Sequence, residues 1–255
     1  MDLGVLRRMR RRFVSMAGDS AVRVGAQREH IDLKRDHSLR VHALASRIVA
    51  REGLAPVTLH LAAALLHDVG RFPQYERFRT YRDDESVDHG EEGARFLRES
   101  GFLADFSTLE RDAVIEAVCL HNKRELPAGM DPLVRSLCVT VRDADKLDIV
   151  PVVLSRMMPG GPRDGIITLG LDDDPGAWTE SVAEAVAAGE SPAYTDMRYV
   201  NDFKLLLASW GPMLVHGASR DIYAGRGYLD TLFSLLPQTA RFAKLREGLA
   251  GRLMR

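Results

Sequence analysis

Five helical segments or helix ends of this chain carry a histidine or an aspartate where the hydrophobic stripe calls for an apolar side chain. These are His37, His67 with Asp68, His89, His121 and Asp145. The stripes are read from spacing. His37 stands in line with Val41, Leu44, Ala45 and Ile48 before Gly53 and Pro56 close the segment. Residues from Val57 to His67 are apolar on most sides, as in a helix buried by several neighbours. Ser86 is placed to cap a helix whose face holds His89, Gly93 and Leu97. Ser107 and Glu110 have capping-box spacing before Val114, Ala117, Val118 and His121. Asp131-Pro132 opens a helix with Val134, Cys138, Val141 and Asp145 at spacings of four, three and four.

The rest of the chain keeps the same periodicity, and no Val/Ile-rich alternating run is long enough for a substantial sheet. The expected fold class is all-α. Leu3, Leu6, Met9 and Phe13 form a first amphipathic stripe, followed by a polar join through about Ile31. Residues 71–86 mix aromatics with charges and lose the helical pattern. After Val150, Pro159-Gly160-Gly161-Pro162 and Asp172-Asp173-Asp174-Pro175-Gly176 are breakers, with Ile166 to Leu169 as a short strand between them. Helical segments resume at about 177–188, 196–209 and 228–248. The organisation read from this is one domain over 1–255, with a core at about 34–150 and a C-terminal helical extension at about 160–255. A boundary near 159–176 is the alternative.

Composition narrows the function classes. The 255 residues are 45% hydrophobic and 28% charged, which suits a folded chain with a sizeable core and not a disordered one. Lys plus Arg at 35 nearly balance Asp plus Glu at 36, so no overall positive field favours a nucleic-acid or membrane-surface partner, and none is expected. The basic N-terminus (Arg7, Arg8, Arg10, Arg11, Arg12) reads as a solvated helix face. No apolar segment of spanning length follows it or occurs elsewhere, and the expectation is a soluble cytoplasmic protein. Cys119 and Cys138 lie in buried-looking helices and read as reduced core thiols, without a disulfide or a Cys-ligated zinc.

A carboxylate that faces a core needs a positive partner, and there are too few inward-facing basic residues to supply one at each position. A bound cation meets the need. Imidazole and carboxylate without thiolate suit Mn, Fe, Co, Ni, Zn or Mg.

His37, the adjacent His67-Asp68 before Val69-Gly70, and Asp145 within Arg142-Asp143-Ala144-Asp145-Lys146-Leu147-Asp148 resemble the signature of the HD superfamily of metal-dependent phosphohydrolases. The likeness spans about residues 34–150. It implies metal ligands at His37, His67, Asp68 and Asp145. Asp143 and Asp148 are the nearest competitors for the last, and helical phase favours Asp145 over Asp143. His89 and His121 fall where one branch of the superfamily adds histidines for a second metal, bridged by the HD aspartate. The resemblance therefore implies two divalent ions, one on His37, His67, Asp68 and Asp145 and one on Asp68, His89 and His121. Against the cyclic-dinucleotide phosphodiesterases, the GYP element is missing, Arg71 replaces a lysine, and Asn122 replaces a second histidine, so that substrate is not expected.

The implied reaction is hydrolysis of a phosphoester in a nucleotide or similar small phosphorylated metabolite by a metal-activated hydroxide, with Asp68 and Lys146 as catalytic groups. Lys34, Lys123 and Lys146 flank ligand positions in a chain with only five lysines. Arg40, Arg71 and Lys123 are candidates for holding phosphate, and the 71–82 segment is read either as a lid or as aromatics packed over the core. A di-iron oxygenase on a related scaffold and a nucleotide-binding regulatory module without turnover are the alternatives. His30, His42, His60 and His216 are read as structural or exposed. The C-terminal helices fit pocket cover or self-association into a homo-oligomer.

Overall fold

The computed structural model describes residues 3–158 and 170–254, and the 166–169 strand expectation falls outside them. Among the described residues the fold is all-α, as expected, with one isolated bridge between Asp172 and Tyr199. Contacts group the chain into two compact units, Met1–Asp145 and Lys146–Arg255.

In the first unit, α1 (Leu3–Val24) runs well beyond the expected stripe, because Ala17, Ser20, Ala21 and Val24 continue its buried face with small side chains. The expected polar join shrinks to one short turn, and α2 begins at Arg28 and ends at Glu52. Gly53, with φ of 65°, closes it in the left-handed conformation, and its N–H donates to the Val49 carbonyl. Helix α3 (Val57–Leu66) is apolar and packs on α2.

Residues 71–78 correct the sequence reading: they form a helix, α4. Pro73 lies in its first turn, where no N–H is lost from the ladder, and Phe72, Gln74 and Tyr75 are buried. Phe72 meets Phe13 edge-on, with ring centroids 5.6 Å apart, and Tyr81 donates its hydroxyl to the His30 carbonyl. The aromatics of this segment therefore pack inward, apart from the exposed Phe78.

Helix α5 (His89–Ser100) is capped by Asp88, not Ser86; the Asp88 carboxylate accepts from the N–H groups of Gly90 and Glu91. Helix α6 (Thr108–Leu120) has the expected Ser107–Glu110 capping box and packs against α5 and α3. Asp131 caps the start of α7 (Pro132–Met157), which crosses the boundary between the two units. Its first turns pack on α3 and α6: Thr140 Oγ1 lies 3.1 Å from His60 Nδ1, and the Cys138 thiol approaches the Ala117 carbonyl. Burial pushes the Cys138 thiol up to about 12, in keeping with an inert core thiol.

The second unit continues with α8 (Glu180–Ala188), α9 (Val200–Met213), α10 (Gly217–Gly225), α11 (Tyr228–Ser234) and α12 (Ala240–Leu253). Helix α10 was absent from the sequence reading: with only nine residues and glycine at both ends, its pattern is too short to stand out. Helix α9 is buried on nearly all sides and is the axis on which α8, α10, α11 and α12 pack. No helix among the described residues is long and apolar enough to cross a membrane.

Candidate metal centre

Close backbone approach builds the site. A Cβ on Gly70 would lie 2.2 Å from the His89 carbonyl oxygen and 2.5 Å from the Gly93 nitrogen, and one on Gly90 would lie 2.7 Å from the Cys119 carbonyl. Bare glycines at these points let the turn after α3, the start of α5 and the end of α6 converge. His67 and Asp68 follow α3 directly, His89 opens α5, His121 caps the end of α6, His37 lies within α2 and Asp145 within α7.

These six side chains come together around Asp68. Its Oδ2 lies 3.7 Å from His37 Nε2 and 3.8 Å from His67 Nε2, and its Oδ1 lies 3.5 Å from His89 Nε2 and 3.8 Å from His121 Nε2. One carboxylate thus faces two histidine pairs, one with each oxygen. Asp145 Oδ1 completes the first cluster, 3.0 Å from His37 Nε2 and 3.8 Å from His67 Nε2. His37, His67, Asp68, His89 and His121 are all buried, whereas the Asp145 side chain keeps a partly exposed edge.

The proton positions show what the clusters lack. A carbonyl can only accept, so His121 Nδ1, 2.7 Å from the Val118 carbonyl, carries a proton, as does His67 Nδ1, 2.9 Å from the Ala64 carbonyl. His89 Nδ1 is held 2.6 Å from the Asp83 carboxylate. Burial, then the Arg71 charge, pushes His89 down to about 4; burial, then His67, does the same to His121. Both rings are neutral at pH 7, so the Nε2 atoms of His89 and His121 confront each other at 3.2 Å as two lone pairs. His67 Nε2 and His37 Nε2 stand 3.3 Å apart in the first cluster, beside Asp145 Oδ1, which lies 3.0 Å from His37 Nε2. In the second cluster, two imidazole lone pairs converging beside Asp68 Oδ1 without a proton between them suit a cation. His37, His67 and Asp68, and separately Asp68, His89 and His121, have ligand atoms close enough to share an ion.

The carboxylates are kept ionised. Burial alone would raise the Asp68 carboxyl, but Lys34, with His67, Arg71 and His89, holds it well below the usual carboxylate range. Asp145 is likewise depressed: His37, then His67, overcome the effect of burial.

The HD domain family matches residues 35–149. The likeness covers residues 35–149 and does not extend over the C-terminal helices. HD domains are generally metal-dependent hydrolases, and the His and Asp clusters of this chain could hold divalent metal. No curated protein and no solved structure gave a significant match.

The other candidate residues are placed differently. Arg71 is largely buried: its Nη1 donates to Gln74 Oε1, the Tyr81 carbonyl and Asp83 Oδ1, and its Nε lies 3.5 Å from Asp68 Oδ1. Lys123 pairs with Asp88 at 2.6 Å and Glu91 at 3.1 Å. Arg40 is exposed on α2, and Lys146 follows Asp145 directly in α7 as the first residue of the second unit. Lys34 proves the closest cation of all, with Nζ 2.9 Å from Asp68 Oδ2. Its position one turn before His37 was the available signal. Asp83, against His89, carried none, because it sits in a stretch read as loop beside two other acidic residues.

Proposed function

We propose that the HD domain binds two divalent ions, bridged by Asp68, and hydrolyses a phosphoester bond in a nucleotide or similar small phosphorylated metabolite. The single observation that carries the reading is the division of one buried carboxylate between two imidazole pairs, one oxygen to each, with the Nε2 lone pairs of His89 and His121 facing each other. His37, His67, Asp68 and Asp145 would hold one ion and Asp68, His89 and His121 the other. Bound divalent ions supply Lewis acidity, lowering the pKa of a water to about 7 and polarising a phosphoryl group.

The chain's own residues prepare this chemistry. Lys34 keeps Asp68 ionised and brings an ammonium beside it. Arg71 has its Nη1 occupied by Asp83, Gln74 and the Tyr81 carbonyl, which favours holding the clusters in place over reaching a substrate. Lys123, Arg40 and Lys146 are the phosphate-binding candidates, the first once it leaves Asp88 or Glu91. The neutral state of His89 and His121 at pH 7 leaves their Nε2 atoms as ligands and makes proton donation an unsuitable task for them.

The test is elemental analysis of protein purified without added metal, followed by a screen of nucleotides and sugar phosphates for released phosphate. Two equivalents of a divalent ion and phosphate release are expected. Iron with oxygen consumption, or tight nucleotide binding without turnover under several metals, would overturn the hydrolase reading.

A further inference from the structure

The Nδ1 atoms of His67, His89 and His121 each face an acceptor, and one of these acceptors differs in kind. His67 and His121 end their helices, so each Nδ1 finds the carbonyl three residues earlier, Ala64 and Val118 respectively. His89 is the first residue of α5 and has no preceding helical turn to supply a carbonyl. Asp83 takes that place, its Oδ2 2.6 Å from His89 Nδ1.

We infer that Asp83 is a positioning residue that locks His89 with its proton on Nδ1 and its lone pair on Nε2, turned towards Asp68 and His121. The inference deepens the two-ion reading and rests on it wherever ions are concerned. Asp83 is itself fixed from the far side, where Oδ1 accepts from Arg71 Nη1 at 2.7 Å and from Gln74 Nε2 at 3.0 Å. Gln74 is buried in α4, and the same amide nitrogen donates to Ser86 Oγ at 2.9 Å and the Val87 carbonyl at 3.0 Å. One side chain thereby ties α4 to the segment that leads into His89. The Arg71 guanidinium spans both acids, with Nη1 on Asp83 and Nε 3.5 Å from Asp68 Oδ1.

A competing donor shows what the lock prevents. Asn122 Nδ2 lies 3.4 Å from His89 Nδ1, 3.4 Å from Asp83 Oδ2 and 2.9 Å from Asp88 Oδ1. Without the Asp83 carboxylate, His89 Nδ1 faces this amide donor, which favours an unprotonated Nδ1. The proton then moves to Nε2, and the ring loses its ligand lone pair.

The primary readout needs no metal. In metal-free, ¹⁵N-histidine-labelled protein, with the His89 signals assigned through H89Q, the wild type shows a pyrrole-type Nδ1 and a pyridine-type Nε2. Asp83→Leu reverses that pattern, and Asp83→Asn, which retains an acceptor oxygen, gives a mixture. Should the leucine variant not fold, the asparagine variant decides alone. A folded variant with the wild-type His89 tautomer overturns the inference. Titration with Co²⁺ extends the test: Asp83→Leu weakens one of two binding events by about 10- to 100-fold and leaves the other within about twofold. Equal weakening of both also overturns it. A wild type that takes up a single ion overturns the two-ion reading alone, while the tautomer pattern still decides the role of Asp83.

Discussion

The two units bury polar side chains in opposite ways. In the second unit, Asp202 at the start of α9 accepts four hydrogen bonds, from Thr179 N–H and hydroxyl and from the N–H groups of Arg198 and Tyr199. Asn201 donates its amide to the carbonyls of Asp174, Pro175 and Ala177, and Lys204 donates to Asn201 Oδ1 and the Leu235 carbonyl. These groups are saturated by backbone and neighbours, so their role is architectural: they pin the 172–179 loop to α9. In the first unit, Asp68 faces four imidazoles at 3.5–3.8 Å, and imidazole lone pairs face each other. Burial is common to both. What separates them is whether every acceptor meets a proton: Lys34 donates to Asp68 Oδ2, but the Nε2 lone pairs of His89 and His121 face each other without one, and that test distinguishes a site from a scaffold more sharply than burial does.

The largest expected effect breaks the contrast at its centre. Asp68→Ala removes the carboxylate common to both clusters, so ion uptake at both positions is lost and phosphate release falls by more than the roughly 10²–10³-fold that one electrostatic group is worth. Unchanged turnover in this variant would end the assignment. The matching change in the scaffold is Asp202→Ala. It strands part-buried donors of Thr179, Arg198 and Tyr199 and lowers stability by about 1–3 kcal/mol in denaturant unfolding. Ion stoichiometry of the folded protein stays at the wild-type value, and a loss of ions there would dissolve the distinction between the two kinds of polar burial.

The same distinction explains what was legible in the sequence. His37, His67, His89, His121 and Asp145 announced themselves because each interrupts an apolar stripe, and interrupted stripes are visible at helical spacing. The capping residues Ser107 and Asp131 were equally local. Asp83, Gln74 and Lys34 were harder, because their importance lies in partners far along the chain, as with Lys34 and Asp68, or in a stretch whose helix is only eight residues long. Asp88 displaced the expected Ser86 cap because Ser86 is engaged with the Arg82 carbonyl and Gln74. The extension of α1 escaped notice because alanine, serine and glycine carry little hydrophobic signal. Gly70 and Gly90 matter for absent atoms, and only packing reveals that.

Acid sensitivity sharpens the comparison further. His89 and His121 are pushed from an ordinary 6.5 to about 4 in the folded, metal-free protein. Between those values the unfolded chain binds more protons than the folded one, so stability falls as pH drops from about 6.5 to about 4 and this contribution levels off below. A shift of that size corresponds to on the order of 3 kcal/mol for either ring taken singly. Denaturant midpoints measured in chelator across this range should show the slope. Saturating divalent ion at pH 7 should raise stability, by about 2.7 kcal/mol at one hundred times the dissociation constant. A flat profile in chelator would mean that the imidazoles are not buried as neutral bases.

The smallest expected effect concerns Lys34, which lies nearer to Asp68 than Arg71 does. Lys34 Nζ lies 2.9 Å from Asp68 Oδ2 and 5.3 Å from the Tyr81 ring centroid, so its charge serves Asp68 and also competes with any ion there. Lys34→Met keeps the apolar stem and removes the charge. If the ammonium is a rival for the carboxylate, ion affinity rises by roughly threefold to tenfold, since a tenfold change corresponds to about 1.4 kcal/mol of lost repulsion. If it is also the group that meets substrate phosphate, KM for the phosphorylated substrate rises and turnover drops in the same variant. A fall in ion affinity would instead identify Lys34 as a strut for Asp68, akin to the saturated contacts around Asp202. Titration calorimetry with Co²⁺, paired with steady-state kinetics, separates these cases, because competition and support move ion affinity in opposite directions.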